Sequence, residues 1–396
     1  MARRLKKPYR MILKTIAVIV AFVVLKWLWV TISTMGHGTF EGEKTEILRR
    51  RNYLTNKLLV SPEGVLNEMP GGIGSQFQGE WAMYSCSMLS AALANISILY
   101  PDEKEKSVEQ IDKLIEIVMS PEVREYDAAR WDEDPLESWD SEKSHMSYLS
   151  ILAWMISSYK TAGGDDKYDD LYYRLCSTLN WRMKESPTLN LLTYPNEAVY
   201  VPDMLVTLVA LSNFKWQCDD RYQSTVKEWL DKAKEEWTDK ETGILKSFLD
   251  YNGTELSQPI KGSYTALICY YLTFVDKDFA HEQYELLKKH FMQRSPFAGI
   301  REYYDRTCWL GMDIDSGPII FNLSPSGTAF AIGAATYFGD TDFRNSLLKT
   351  GEIAGSTVRG WNTNHYLLAN MALVGEAITL AMRTSVPWHN ETNENK

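Results

Sequence analysis

The sequence predicts an all-α fold, an (α/α)6 toroid or barrel preceded by a single N-terminal transmembrane helix, and three observations predict it. Apolar helices rich in small residues open at Gly79-Glu80-Trp81, Ser144-His145-Met146, Val201-Pro202-Asp203, Gly262-Ser263-Tyr264, Ser324-Pro325-Ser326 and Thr363-Asn364-His365. They recur about every 45 to 65 residues, the length of two helices and two loops. Between them lie helices with one apolar stripe and charges elsewhere, at 105–119, 168–184, 222–237, 281–294 and 343–353. An inner helix touches neighbours on all sides and an outer one on a single side, so this alternation is what a ring within a ring requires. Known helical toroids close at six pairs, which favours closure over an open solenoid.

The third observation is the predominantly apolar run at 11–33, preceded by a basic tail at 1–10 with Arg3, Arg4, Lys6, Lys7 and Arg10. Once Lys14 and Lys26 snorkel toward the two faces, the run is long enough to span a bilayer, with Trp27 and Trp29 as an interfacial belt. No small-x-small site follows the apolar core, so an uncleaved anchor is expected rather than a signal peptide. The leading positive charges place the N-terminus in the cytoplasm and the domain outside, giving a single-pass membrane protein; Lys44 and Arg49-Arg50-Arg51 act the other way.

Residues 34–75 read as a linker with an amphipathic helix from Glu43 to Leu59, broken by Met69-Pro70-Gly71-Gly72-Ile73-Gly74. The barrel is expected over 76–384. Pro202 and Pro325 suit first helical positions, and Ser324, Ser144 and Thr363 suit N-caps. Strand signals are thin. A polar, frayed tail follows at 385–396.

The chain has 396 residues, is 45% hydrophobic and carries a formal charge of −10. A domain of this length needs no disulfide staples, and its acidic balance excludes nucleic acid as partner. The five cysteines show no C-x-x-C spacing, so neither a zinc site nor a disulfide framework is read from them. Metalloprotease, P-loop, dinucleotide and Gly-x-Ser-x-Gly motifs are absent from the sequence. No metal and no cofactor are expected; oligomerisation is left open.

Three segments carry the chemistry. In Gln76-Phe77-Gln78-Gly79-Glu80-Trp81-Ala82-Met83-Tyr84, Glu80 and Tyr84 share a helix face, and a carboxyl held against Trp81 would be desolvated and kept protonated. The bland alternative for Glu80 is a first-turn complement to the helix dipole. In Tyr194-Pro195-Asn196-Glu197-Ala198-Val199-Tyr200-Val201-Pro202-Asp203, two prolines stiffen a stretch that delivers Glu197 and Tyr200, with Asp203 read as structural. The third runs from Tyr303 through Cys308-Trp309 to Asp313-Ile314-Asp315-Ser316-Gly317-Pro318. Read as an extended segment, it gives Asp313 and Asp315 different jobs, one facing the cup and the other tying down the loop. A calcium loop is disfavoured because the glycine and closing glutamate are not in their places. His145 and His365 stand at helix starts, where a histidine is more often a structural donor.

The phrases Gly79-Glu80-Trp81-Ala82-Met83-Tyr84-Ser85, Tyr194-Pro195-Asn196-Glu197 and Asp313-Ile314-Asp315-Ser316-Gly317-Pro318, followed by Ser326-Gly327-Thr328-Ala329-Phe330-Ala331, resemble the linalool dehydratase/isomerase-like domain. The resemblance spans roughly Asn52 to Arg383. It implies an (α/α)6 barrel and cofactor-independent acid–base chemistry, a carbon–oxygen lyase or isomerase. In that family the chemistry is associated with paired cysteines in the pocket, and the cysteines here show no closely spaced pair. Glu80 with Tyr84 also resembles the first inner helix of six-hairpin glycoside hydrolases, where that glutamate is the general acid and a second carboxylate is base or nucleophile.

The expected site therefore has Glu80 as acid, Glu197, Asp313 or Asp315 as base, and His145 beside them. Trp81, Tyr84, Tyr194, Tyr200, Trp309 and His365 would hold a small molecule or a glycan. A tethered, non-catalytic glycan-binding or assembly module is the remaining alternative.

Overall fold

Helix-capping chemistry sets most of the element boundaries. The computed structural model describes residues 7–33, 39–254, 256, 258–305, 308–313, 315–369 and 373–389. The N-terminal helix α1 (Lys7–Ser33) is followed by α2 (Phe40–Leu58), capped by Thr39, and by the short α3 (Pro62–Asn67), capped by Ser61. Gly74, at φ 92°, then turns the chain into α4 (Ser75–Leu99). This helix starts a turn earlier than the expected Gly79. Gly79 is instead a contact point, where an added Cβ would lie 2.7 Å from Tyr126.

Next come α5 (Lys104–Val118) and α6 (Pro121–Trp131), then α7 (Met146–Thr161), α8 (Asp169–Glu185), α9 (Val201–Gln217) and α10 (Gln223–Glu235). The remainder is α11 (Gly262–Leu272), α12 (Lys277–Phe291), α13 (Pro325–Tyr337), α14 (Thr341–Gly355) and α15 (Leu373–Arg383). Ser324 caps α13 as expected, its Oγ accepting from the Gly327 amide at 3.1 Å.

The inner helices α4, α7, α9, α11, α13 and α15 each pack on the next, and α15 packs back on α4. Their burial shows why: along α7 and α11 nearly every residue is buried. The outer helices α5, α8, α10, α12 and α14 bury one stripe. Short loops join each inner helix to the outer one after it, making them antiparallel neighbours. The inner N-termini consequently share one face.

Small antiparallel ribbons, where few strand signals stood in the sequence, decorate that face: β1 (Val199–Tyr200) with β2 (Phe248–Leu249), and β3 (Met292–Gln293) with β4 (Gly299–Ile300). Two longer hairpins are β5 (Leu310–Asp313) with β6 (Gly317–Ile320), and β7 (Thr357–Arg359) with β8 (Asn364–Tyr366). The last corrects an expectation. Thr363 caps no helix; it lies in the β7–β8 turn, and the sixth inner helix begins at Leu373.

Two further readings change. Ser144 does not cap α7; His145 occupies the N-cap position, in the left-handed region at φ 48°. The segment after Arg383 is packed where it is described: Thr384 and Ser385 are buried, and Trp388 Nε1 donates to Asn95 Oδ1 at 2.7 Å. Residues 390–396 and 1–6 lie outside the described residues.

Helix α2 is welded to the end of the chain. Glu43 is fully buried between Arg344 (2.7 Å) and Arg383 (2.6 Å). Burial alone would raise its carboxyl, but the two guanidiniums bring it down to about 2. Two turns on, buried Arg50 meets Glu376 at 2.6 Å and Glu46 at 2.8 Å.

By length and composition α1 could cross a membrane over Tyr9–Thr31, and that window is exposed. Phe77–Leu99 of α4 passes the same test but is a buried core helix.

Candidate active site

The shared face gathers acids from two inner-helix starts and one hairpin turn. Glu80, near the beginning of α4, bonds Arg130 Nη1 of α6 at 3.1 Å and the hydroxyl of Tyr194. The Arg130 guanidinium also lies 3.6 Å over the Tyr194 ring centroid, so one cation orients both groups. Tyr194 continues a hydroxyl chain through Ser147 (3.0 Å) to Tyr126 (3.2 Å).

Asp203 sits in the first turn of α9, its Oδ2 accepting from Thr193 Oγ1 at 2.9 Å. Asp315 occupies the β5–β6 turn, where Lys261, the residue before α11, reaches it at 3.2 Å and Tyr264 hydrogen-bonds it. The charge of Asp315 reaches Glu80, and the charges of Glu80 and Asp315 both reach Asp203.

This crowding has a chemical result. Burial pushes Glu80 upward, Arg130 and Tyr194 oppose the rise, and Asp315 adds to it. Asp203 is pushed up to about 7, first by burial and then by Glu80, Asp315 and Glu197, with Thr193 pulling the other way. A carboxyl with that pKa can hold or release a proton near neutrality, the property that general acid–base chemistry requires.

The sequence-predicted residues divide in their placement. Glu80, Tyr194 and Asp315 meet here. Tyr84 joins them from below: its hydroxyl is 3.2 Å from that of Tyr271, and Asp203 perturbs it. Tyr200 stands at the rim, tilted against Phe248 and Tyr264 and hydrogen-bonded to exposed Glu197. Trp81 packs on the core. Asp313 is the last residue of β5, opposite Gly317; the extended run expected through Asp315 is a hairpin turn. Trp309 lies on the open side of that hairpin, edge-on to Phe321 at 5.2 Å.

His145 stands apart from these acids. It is fully buried, with Nδ1 2.5 Å from Asp127 and Nε2 3.0 Å from Glu133, so both ring nitrogens are occupied by acids outside the cluster. His365 belongs to β8 and stacks on Tyr53 of α2 at 4.1 Å.

In the sequence Arg130 drew no attention, and Asp203 was read as structural. The Ser120-Pro121 cap-and-first-turn signal could have revealed α6, and with it Arg130. No local signal separates Asp203 from a dipole-complementing first-turn acid.

No family model matches the chain, and no curated protein matches it in sequence. Among solved structures it is similar to a family 105 glycoside hydrolase of C. acetobutylicum ATCC 824. The two share 9% identity and a TM-score of 0.53, over 75% of this chain and 92% of that one. At that identity the likeness is one of fold, an α/α-toroid type.

Proposed function

We propose that this protein is a membrane-anchored (α/α)6-toroid enzyme that performs acid–base chemistry on a sugar-type substrate, in the manner of a six-hairpin glycoside hydrolase. The observation that carries the reading is the cluster of Glu80, Asp203 and Asp315, with Asp203 pushed up to about 7. Glu80, raised by burial and steered by Arg130, protonates the departing oxygen. Asp203 or Asp315 activates the water, which is the division of labour that hydrolysis of a glycosidic bond needs. Tyr200, Tyr264 and Tyr194 offer flat faces and hydroxyls suited to a sugar ring.

A glycan is preferred to an allylic alcohol because three of the five thiols are locked in helix packing. Cys86 and Cys269 are buried inside inner helices and Cys176 in an outer one, and burial pushes all three thiols upward.

The test is mass spectrometry of products after incubation with oligosaccharides and, in parallel, allylic terpene alcohols. Glycan cleavage lost in both Glu80→Gln and Asp203→Asn supports the proposal. Dehydration or isomerisation of the alcohols would replace it with the lyase reading. Glycan binding without turnover, unaffected by either substitution, would leave a binding module.

A further inference from the structure

We propose that the β5–β6 and β7–β8 hairpins dock on the same bilayer that holds α1, so that the acidic site opens along the membrane surface. This rests on α1 being a membrane helix, and not on the identity of the substrate.

The level of the bilayer follows from one lysine. Over its apolar run α1 is exposed, and it meets the domain in its last turns. There Lys26 Nζ donates to the Ile353 carbonyl and to Ser356 Oγ, the latter at 2.5 Å, while the Lys349 ammonium lies 4.3 Å from the Trp27 ring centroid. Lys26 is the first charge after the apolar run at 15–25. An ammonium at the end of such a run belongs at the headgroup boundary rather than in hydrocarbon. Its partners, at the end of α14, must stand at that boundary with it.

The chain leaves Ser356 directly into β7. The β7–β8 turn projects Trp361, 98% exposed, and Leu367 and Leu368 follow at 61% and 52%. The neighbouring β5–β6 hairpin exposes Trp309 (54%), Leu310 (68%) and Met312 (79%). The two hairpins precede α13 and α15, which pack on each other, so these side chains form one sector beside the attachment of α1. Single exposed apolar residues are ordinary, but two adjacent hairpins tipped with tryptophan and long aliphatic chains mark an interaction face. Tryptophan favours the headgroup zone, which is the level that Lys26 sets. The same β5–β6 hairpin holds Asp315 against Lys261 at its turn. Docking would thus fix one acid of the site.

The full chain is reconstituted in lipid nanodiscs, and the emission of single tryptophans is isolated by difference against Trp361→Phe, Trp309→Phe and Trp216→Phe. Trp216 ends α9 on the opposite face and serves as internal control. The proposal expects Trp361 and Trp309 emission to be blue-shifted, quenched by chain-brominated lipids and shielded from iodide, with Trp216 behaving in reverse. Trp361 and Trp309 quenched by iodide and indifferent to brominated lipid would overturn the docking while leaving α1 in place. Shielding from both quenchers, with two chains per disc by light scattering, would assign the face to a second copy and overturn it too. A chain released from membranes by alkaline carbonate would remove the α1 reading, and the docking with it.

Discussion

Replacing Asp203 by asparagine should stabilise the protein, and more so as pH rises. The Thr193 hydroxyl can still donate to the amide oxygen, so the substitution chiefly removes the capacity for charge. Asp203 is raised from 3.8 to about 7 in the folded chain. Below about pH 4 both folded and unfolded states hold the proton, and the residue contributes nothing to pH dependence. Between about 4 and 7 the unfolded state releases its proton while the native state keeps it, so wild-type stability falls with pH. Above about 7 the loss levels off at roughly 4 kcal/mol, since each pKa unit is worth about 1.4 kcal/mol. The assay is urea denaturation of the detergent-solubilised chain, followed by tryptophan fluorescence between pH 4 and 9. Other acids titrate in both proteins, so the Asp203→Asn minus wild-type difference isolates this one. It should climb from near zero to about 4 kcal/mol, mostly across that window. A difference that stays flat with pH would refute the claim that Asp203 is held among like charges.

Glu43→Ala strands two buried guanidiniums, and a loss of about 3–5 kcal/mol is expected in the same denaturation assay. Because Glu43 lies at about 2, its contribution is intact above its ordinary value of 4.5 and disappears as pH falls through about 2; an acid midpoint unchanged by Glu43→Gln would count against it. Gly262→Ala places a methyl 1.9 Å from the Arg301 carbonyl oxygen and should cost about 3 kcal/mol or more, read as a lowered midpoint. His145→Ala leaves Asp127 buried without its partner and should cost about 1–3 kcal/mol while preserving turnover per folded molecule. Loss of turnover at full stability would return His145 to the site.

The alternation of inner and outer helices was legible because burial on all sides and burial on one side select different compositions. Compare Gly262–Leu272, without a charge, with Gln223–Glu235, striped with lysine and glutamate. Caps were readable where the chemistry is local, as at Ser324-Pro325. At Thr363 the same cue misled: Thr357–Arg359 pairs with Asn364–Tyr366, and Arg50 and Glu376, distant in sequence, hold that hairpin against α2 and α15. Glu80 and Asp315 were singled out from composition and position. Asp203 was set aside because a first-turn acid has a sufficient local explanation, and what raises it is burial, then charges delivered from α4, the β5–β6 turn and the loop before α9. The partners of His145 were hidden for the matching reason, since Asp127 and Glu133 reach it from a helix and loop that the sequence reading left unassigned.

The Glu43–Arg344–Arg383 junction imposes an order on biosynthesis. Glu43 emerges from the ribosome early, yet both of its partners come some 300 residues later, at separations of 301 and 340. Until α15 has been made, the first inner helix lacks its last neighbour and α2 carries an unneutralised acid where a dry contact will form. Contacts of such sequence separation form slowly. The nascent chain must therefore wait with an open seam between α4 and the missing α15, and that seam is where a chaperone would be needed and where a truncated product would first be caught by a protease.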